Sequence, residues 1–249
     1  MWIWQLLRSA FLSKSKQTNP NMLDNFITTA LIIDDSEDEI TDLKNFFEER
    51  DIWVKHYTPT QLDQMRGAFK NRKIIFLDLQ LVDGDSTVTN ISRIRKYLRD
   101  FIGQNFGTYG IVLWTKHIDE VNDLKNRISQ DVEIYTLPLF IVGLDKTKYL
   151  RAGNYSTVLI DLEIELSKNI SSRFFVEWNI IVDKAKDKTI SNIFKIEPSY
   201  NKQEQNLKFI LFQIAKNYTG IPFEQIQDHN LTKDTIKGFS DMLHYEVIA

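Results

Sequence analysis

Short apolar runs alternate with amphipathic segments from about residue 30 to about residue 150. Five strands are predicted, at 30–33, 51–57, 73–79, 110–116 and 138–144. The segment 51–57 alternates polar and apolar residues, whereas 30–33, 73–79 and 110–116 have the composition of buried strands. Between them, apolar residues recur at steps of three and four, which is typical of helices that cover a core. Strands that alternate with helices predict a parallel sheet with helices on both faces. We therefore predict an α/β fold of the doubly wound type.

Three of the intervening helices are marked by particular residues. Ser36 precedes the spaced apolar residues Ile40 and Leu43 and is a predicted helix cap. After the second strand, a helix is predicted around Leu62, Met65 and Phe69, and a later one is marked by four apolar residues. These four are Ile91, Ile94, Leu98 and Phe101.

A different pattern follows residue 154. No Gly or Pro occurs in 157–194, which predicts one long helix, or two helices with a break near 168–172. A continuous apolar stripe is expected along this region, formed by Leu162, Leu166, Ile170, Phe174, Trp178, Ile181 and Ala185. The stripe is expected to pack on later helices at 206–218 and 234–245, or on a second copy in a homodimer.

These patterns divide the chain into three predicted parts: an N-terminal amphipathic arm (1–25), an α/β domain (26–150) and a helical domain (155–249). Arg8 interrupts the apolar residues of the arm, which is therefore too short to span a bilayer and lacks the order of a signal peptide. The arm is expected to pack on the body of the protein, or to contact a partner or a membrane surface.

Composition narrows the function classes. The 249 residues are 43% hydrophobic and 26% charged, with a formal net charge of -3, so no broad basic surface for nucleic acid is expected. The sequence has no cysteine, which excludes disulfides, zinc-thiolate sites and thiol chemistry and fits a reducing compartment such as the cytoplasm.

Polar residues follow four of the predicted strands. Asp34 and Asp35 end the first, Asp78 the third and Thr115 the fourth, and Lys146 lies shortly after the fifth. The carboxyl ends of parallel strands share one edge of a sheet, so these side chains are expected to converge. Crowded carboxylates call for a cation, and oxygen ligands without His or Cys favour Mg²⁺. A carboxylate held there is able to attack a phosphoryl group.

These residues resemble the motifs of response-regulator receiver domains of two-component signalling. The acidic pair after the first strand, the aspartate in "IIFLDLQLVDGDS" (74–86) and the hydroxyl in "VLWTK" (112–116) match the family in order. The resemblance covers about residues 28–150. It implies a flavodoxin-like sheet with strand order 2-1-3-4-5.

The resemblance also implies roles for individual residues. Asp78 would take a phosphoryl group from a histidine kinase or a phosphotransfer protein, with Thr115 and Lys146 assisting. Mg²⁺ would be bound by Asp34, Asp35 and Asp78 and by the backbone carbonyl of Gln80. The protein would then be a phosphorylation-controlled signalling module and not a metabolic enzyme.

The sequence departs from the family pattern at two places. Val82 stands where a proline is usual. In the fifth strand, aligning Phe140 with the family's aromatic residue puts Gly143 at the lysine position, whereas placing Lys146 at the lysine position leaves no aromatic residue. The spellings "LWT" and "LDKT" resemble a divergent receiver class associated with bacterial phage-defence operons.

Two alternatives stay open. A degenerate receiver would act only as an interaction module and take no phosphate. The segment "VDGDSTV" (82–88) also contains the D-x-D-x-T motif of haloacid-dehalogenase-like phosphatases, in which Asp83 would be the nucleophile and Asp85 the acid/base. That motif normally ends a buried strand directly, whereas here the apolar run already ends near Asp78.

Overall fold

The computed structural model describes residues 22–195 except 83, 104, 105, 132 and 135, together with 207, 209–214, 216 and 236–238. The strands are β1 (Thr29–Ile33), β2 (Trp53–Tyr57), β3 (Ile74–Leu77), β4 (Gly110–Thr115) and β5 (Phe140–Asp145). The helices are α1 (Met22–Phe26), α2 (Glu37–Glu48), α3 (Pro59–Gln64), α4 (Thr87–Phe101), α5 (Val121–Ser129), α6 (Lys146–Ala152), α7 (Val158–Ser167) and α8 (Ile170–Lys195). A 3₁₀ helix spans Ile118–Glu120.

The five strands form one parallel sheet in the order β2-β1-β3-β4-β5, which confirms the predicted fold class and strand order. β3 and β4 are buried along their whole length, as their unbroken apolar sequences require. β2 lies at an edge and alternates between exposed and half-buried residues. The apolar content of each strand therefore follows its position in the sheet.

Alternate residues of the strands face two separate helical layers. On one face, a core cluster joins Leu77 and Leu113 of the sheet to Ile94 of α4 and Leu124 of α5. On the other face, α2 packs through Phe47, whose ring centroid lies 5.2 Å from that of Phe76 in β3. α7 packs against β5 and α1. Both faces are thus covered, as a parallel sheet requires.

The predicted start of α2 is confirmed, whereas the predicted extent of α3 is wrong. The Ser36 hydroxyl caps α2 by accepting a 3.4 Å hydrogen bond from the Glu39 backbone N–H. α3 ends at Gln64, because the backbone of Met65 is already extended (φ -75°, ψ 141°). The chain then passes through Gly67 with φ +98°, a conformation that favours glycine. Phe69 lies outside the helix and is buried against Phe101, with ring centroids 5.0 Å apart.

The region 157–194 contains two helices, the second of the two predicted alternatives. α7 ends at Ser167 and α8 begins at Ile170, after a cap in which the Asn169 side chain accepts a hydrogen bond from the Ser172 backbone N–H at 3.1 Å. The predicted continuous stripe is wrong, because the break changes the direction in which successive side chains point. Leu166 is buried, whereas Ile170 is 80% exposed.

The packing of the chain divides it between Val176 and Glu177, inside α8. The predicted ranges 26–150 and 155–249 stay a prediction, as does the homodimer. Residues 1–21 of the predicted arm lie outside the described residues. Of the predicted helices at 206–218 and 234–245, residues 207, 209–214, 216 and 236–238 are described and are helical, and the others lie outside the described residues. In the part of the chain that is described, no helix is long and apolar enough to cross a membrane.

Candidate functional site

The predicted polar residues lie at the carboxyl edge of the sheet. Asp34 directly follows β1, and Asp78 directly follows the neighbouring strand β3. The Asp78 backbone N–H donates a 2.9 Å hydrogen bond to the Ile33 carbonyl, so the parallel pairing continues to the first residue beyond each strand. The sheet register therefore sets Asp34 and Asp78 side by side.

The structure brings the three predicted carboxylates together. Asp34, Asp35 and Asp78 each offer one oxygen, and these three oxygens lie within 4.8 Å of one another. Asp34 and Asp78 are buried, whereas Asp35 is exposed. Negative charges this close repel one another unless positive charge lies among them.

Lys146 supplies positive charge from the other side. It is the first residue of α6, directly after β5, and its side chain is buried. Its Nζ lies 2.5 Å from Asp78 Oδ2, 2.9 Å from Glu39 Oε2 and 3.2 Å from Asp34 Oδ2. Burial alone would lower the pKa of this ammonium, but the charges of Asp78 and Asp34 and the hydrogen bonds outweigh burial and raise the pKa.

The position of Lys146 distinguishes the two alignments that the sequence leaves open. Lys146 lies in the carboxylate cluster, which favours the alignment with Lys146 at the lysine position. In that alignment the position of the aromatic residue, three residues earlier, is Gly143 of β5. Phe140 is the first residue of β5, where it pairs with Gly110 at the amino end of the sheet. It is therefore remote from the carboxyl edge, and no aromatic residue occupies the strand position where the family has one.

Burial strongly raises the pKa of Asp34. Its carboxyl is fully buried, and this burial is the main reason why its pKa is raised from 3.8 to about 6. The nearby charge of Asp78 acts in the same direction. The Lys146 ammonium and a 2.9 Å hydrogen bond from the Ser36 backbone N–H oppose the shift without cancelling it.

Glu39 belongs to the site although the sequence did not single it out. Its carboxylate contacts Lys146 on one side, and its Oε1 accepts a 2.5 Å hydrogen bond from Lys116 Nζ on the other. Burial would raise the pKa of Glu39, but the hydrogen bonds from these two lysines outweigh it and lower the pKa. The available sequence signal was its place in the first turn of α2, four residues after Asp35.

Thr115 and Gln80 lie in the loops beside the cluster. Thr115 is buried at the end of β4, and its Oγ1 accepts a 3.0 Å hydrogen bond from the His117 backbone N–H. The Gln80 backbone N–H donates to Asp78 Oδ1 at 3.2 Å, and its side-chain oxygen lies 2.7 Å from His117 Nε2. These contacts join the loops after β3 and β4. The predicted metal contact of the Gln80 carbonyl stays a prediction.

The rival phosphatase motif is only partly described. Asp83 lies outside the described residues. Asp85 lies in the loop before α4, and its Oδ2 forms a 2.9 Å ion pair with Arg93 Nη2 of that helix.

The donor set fits a magnesium ion. Its three oxygen ligands come from carboxylates, which suit a small hard cation and no soft metal. Glu39 adds a fourth carboxylate beside the cluster, against which the structure sets the ammonium groups of Lys146 and Lys116. The two lysines neutralise two of the four carboxylate charges, and a divalent cation would balance the remaining two.

Comparisons with known proteins give no family for this chain. No protein-family model matches the sequence, and no curated protein matches it significantly. A parallel sheet with this strand order is shared by proteins of many functions. The function therefore has to be argued from the residues at the carboxyl edge.

Proposed function

We propose that the protein is a receiver-type signalling module that accepts a phosphoryl group on Asp78. One observation carries the proposal: a buried aspartate at the end of the central strand shares its site with two further carboxylates and a buried lysine. Such a set provides a nucleophile, a place for a divalent cation and an ammonium for the transferred oxygens. The finer assignment to the class found in phage-defence operons is part of the proposal.

The reaction follows from the nucleophile. An oxygen of the Asp78 carboxylate attacks the phosphorus of a phosphohistidine, and a P–O bond forms while the P–N bond breaks. The electron pair of the broken bond returns to the imidazole ring, which binds a proton. With acetyl phosphate, the P–O bond to the acetyl group breaks and the electron pair leaves with acetate. In either case Asp78 becomes an acyl phosphate, which water hydrolyses.

Lys146 and Thr115 would stabilise the phosphoryl group once it reaches Asp78. Lys146 Nζ already contacts the carboxylate, so a small movement brings it to a phosphoryl oxygen. The Thr115 hydroxyl would donate to another oxygen. Asp34, Asp35 and Asp78, with the Gln80 carbonyl, would hold Mg²⁺, which supplies positive charge to the phosphoryl oxygens.

The proposed partner is a histidine kinase or a phosphotransfer protein in the cytoplasm. Phosphorylation replaces the single negative charge of the Asp78 carboxylate by the roughly two negative charges of a phosphoryl group at a buried site. The site would respond by shifting an existing balance between two conformations. The helical region would then transmit this shift by packing or by homodimerisation.

Labelling with acetyl phosphate and Mg²⁺ tests the proposal. The full chain should gain one phosphoryl group by intact mass, and the label should be lost in hydroxylamine, which cleaves acyl phosphates. Asp78→Asn should abolish labelling, whereas Asp85→Asn, a nearby carboxylate outside the cluster, should retain it. Circular dichroism of each variant checks that the fold is kept.

Other outcomes identify the alternatives. Absence of label in a folded wild-type chain would contradict the proposal and favour an interaction module. Turnover of p-nitrophenyl phosphate that is lost in Asp83→Asn and retained in Asp78→Asn would favour the phosphatase.

A further inference from the structure

We infer that Glu39 is a positioning residue that holds Lys146 back and thereby slows the reaction of Asp78 with anionic phosphate donors. This inference rests on the proposed function. The observation that supports it is a chain of ion pairs, Asp78–Lys146–Glu39–Lys116, which runs from the buried carboxylate to the exposed loop after β4.

The charged contacts of Lys146 explain the restraint. Three carboxylates surround Lys146 Nζ, which donates hydrogen bonds to Asp78 and Asp34 and forms an ion pair with Glu39. The ammonium has to move towards a phosphoryl oxygen when Asp78 reacts. Glu39 opposes that movement, because it attracts the ammonium from a different element, the first turn of α2.

The charge of Glu39 has a second effect. Only one ammonium group separates its carboxylate from that of Asp78. A donor that carries negative charge therefore meets one more negative group than the three metal-site carboxylates alone would present. Removing the charge should favour the approach of the donor and the dianionic product.

Lys116 balances Glu39 from the solvent side. Its side chain is 45% exposed, and its Nζ binds the Glu39 oxygen that does not contact Lys146. Without Lys116, Glu39 would act on Lys146 with its full charge. Substitutions at Glu39 and Lys116 should therefore change the rate in opposite directions, although each breaks the same ion pair.

Glu37 provides a matched control for the loss of an acid. It lies in the same first turn of α2, its side chain is 71% exposed, and its contact with Lys44 is long at 3.9 Å. Glu37→Gln removes the same charge from the same helix end without touching Lys146.

The experiment measures the rate of Asp78 labelling of the full chain in Mg²⁺ with two donors. Acetyl phosphate is a dianion at neutral pH, whereas phosphoramidate carries less net negative charge. Glu39→Gln should raise kcat/KM for acetyl phosphate about threefold to tenfold, and raise it less for phosphoramidate. Lys116→Met should lower it by a similar factor, and Glu37→Gln should change it by less than about twofold.

Added salt provides a further readout that a purely structural role would not affect. The ratio of kcat/KM for Glu39→Gln to kcat/KM for wild type should fall as the NaCl concentration is raised, because exposed charges are screened. The inference would be overturned if the rate fell in both Glu39→Gln and Lys116→Met. It would also be overturned if kcat/KM of Glu39→Gln relative to wild type were the same for both donors. Should Glu39→Gln not fold, the direction of the Lys116→Met effect decides.

The failures of the two proposals are distinguishable. If the wild type is labelled and the labelling rates of Glu39→Gln and Glu37→Gln are the same, the role of Glu39 is rejected and the proposed function is left intact. A folded wild type and variants without any label reject both.

Discussion

At the scale of single residues, Asp34 makes the stability depend on pH. Its pKa is raised from 3.8 to about 6, so the native state binds its proton more tightly than the unfolded state does. The stabilisation from this residue is complete below pH 3.8 and is lost as the pH rises through about 6. A shift of this size corresponds to about 3 kcal/mol.

Asp34→Asn should therefore be more stable than wild type at pH 7.5 by about 3 kcal/mol in EDTA, and nearly equal at pH 4. The asparagine is neutral and retains an oxygen for the hydrogen bond from Ser36. Urea unfolding across this pH range measures the difference. Asp35→Asn, which removes a carboxylate from the exposed neighbour, is the control for the loss of one negative charge. The prediction would be contradicted if the difference in unfolding free energy between Asp34→Asn and wild type were the same at every pH in this range.

Lys146 has the opposite role, because it is the cation that the buried acids share. Lys146→Met should lower the free energy of unfolding by about 3 kcal/mol at pH 7.5 in EDTA, since it leaves Asp34 and Asp78 buried without its ammonium. Mg²⁺ should recover part of this loss, because the divalent cation replaces the missing charge.

The control for this substitution is Lys148→Met in the same helix. Lys148 is 58% exposed and pairs with Asp161 at 2.7 Å, so its loss should cost less than about 1 kcal/mol. Chemical unfolding with and without Mg²⁺ gives both values. Equal losses in the two variants, or no recovery of Lys146→Met in Mg²⁺, would be the contrary result.

The sequence reveals some of these residues and hides others for a physical reason. Asp34, Asp78 and Lys146 follow apolar runs, and parallel strands bring such positions to one edge whatever the side-chain details. Glu39 is one of several acids after Asp35, and only the contacts of its side chain with two lysines distinguish it from Glu37. Those contacts depend on helix placement, which periodicity does not specify.

At the scale of elements, a buried ion cluster joins the end of α5 to α4. The Asp131 side chain is 1% exposed and accepts hydrogen bonds from Arg95 Nε at 2.6 Å and Arg99 Nη2 at 2.8 Å. Burial would raise the pKa of Asp131, but the hydrogen bonds from Arg99 and Arg95 outweigh it and lower the pKa. The stabilisation is therefore present near neutral pH and is lost on acidification.

Asp131→Asn should lower the free energy of unfolding by about 3 kcal/mol at pH 7, because it leaves the arginines without their shared buried charge. Asp123→Asn in α5 is the control, since its pair with Arg127 is exposed and contributes little. Urea unfolding measures both variants. A loss no larger than that of Asp123→Asn would show that the cluster does not hold the two helices together.

Element boundaries were the least predictable part of the fold. Phe69 continues the spacing of Leu62 and Met65, yet the chain leaves the helix before it reaches Phe69. Periodicity records only that a side chain is buried, and the loop after α3 buries Phe69 as well as a helix would. Ile170 likewise continues an apolar spacing, but the cap at Asn169 starts a new helix that leaves it exposed.

At the scale of the whole molecule, the sheet order followed from the resemblance, whereas the connection from the site to the helices appears only in the structure. Lys146 begins α6, and one turn later the ring of Tyr149 stacks on Trp114 at 4.9 Å. The Tyr149 hydroxyl donates a 2.7 Å hydrogen bond to Asp161 of α7. A displacement of Lys146 should therefore reach α7 through α6.

Hydrogen exchange tests this connection in the phosphorylated chain. Labelling Asp78 should change amide exchange in both α6 and α7 of the wild type, because Lys146 follows the new charge. Tyr149→Phe keeps the ring stack and removes the hydrogen bond to Asp161, so the change should persist in α6 and be reduced in α7. Tyr155→Phe, in the same group of rings, loses only a long 3.5 Å contact with the Glu39 carbonyl and should behave as wild type. An unchanged response of α7 in Tyr149→Phe would show that the signal reaches that helix by another route, such as its packing on β5.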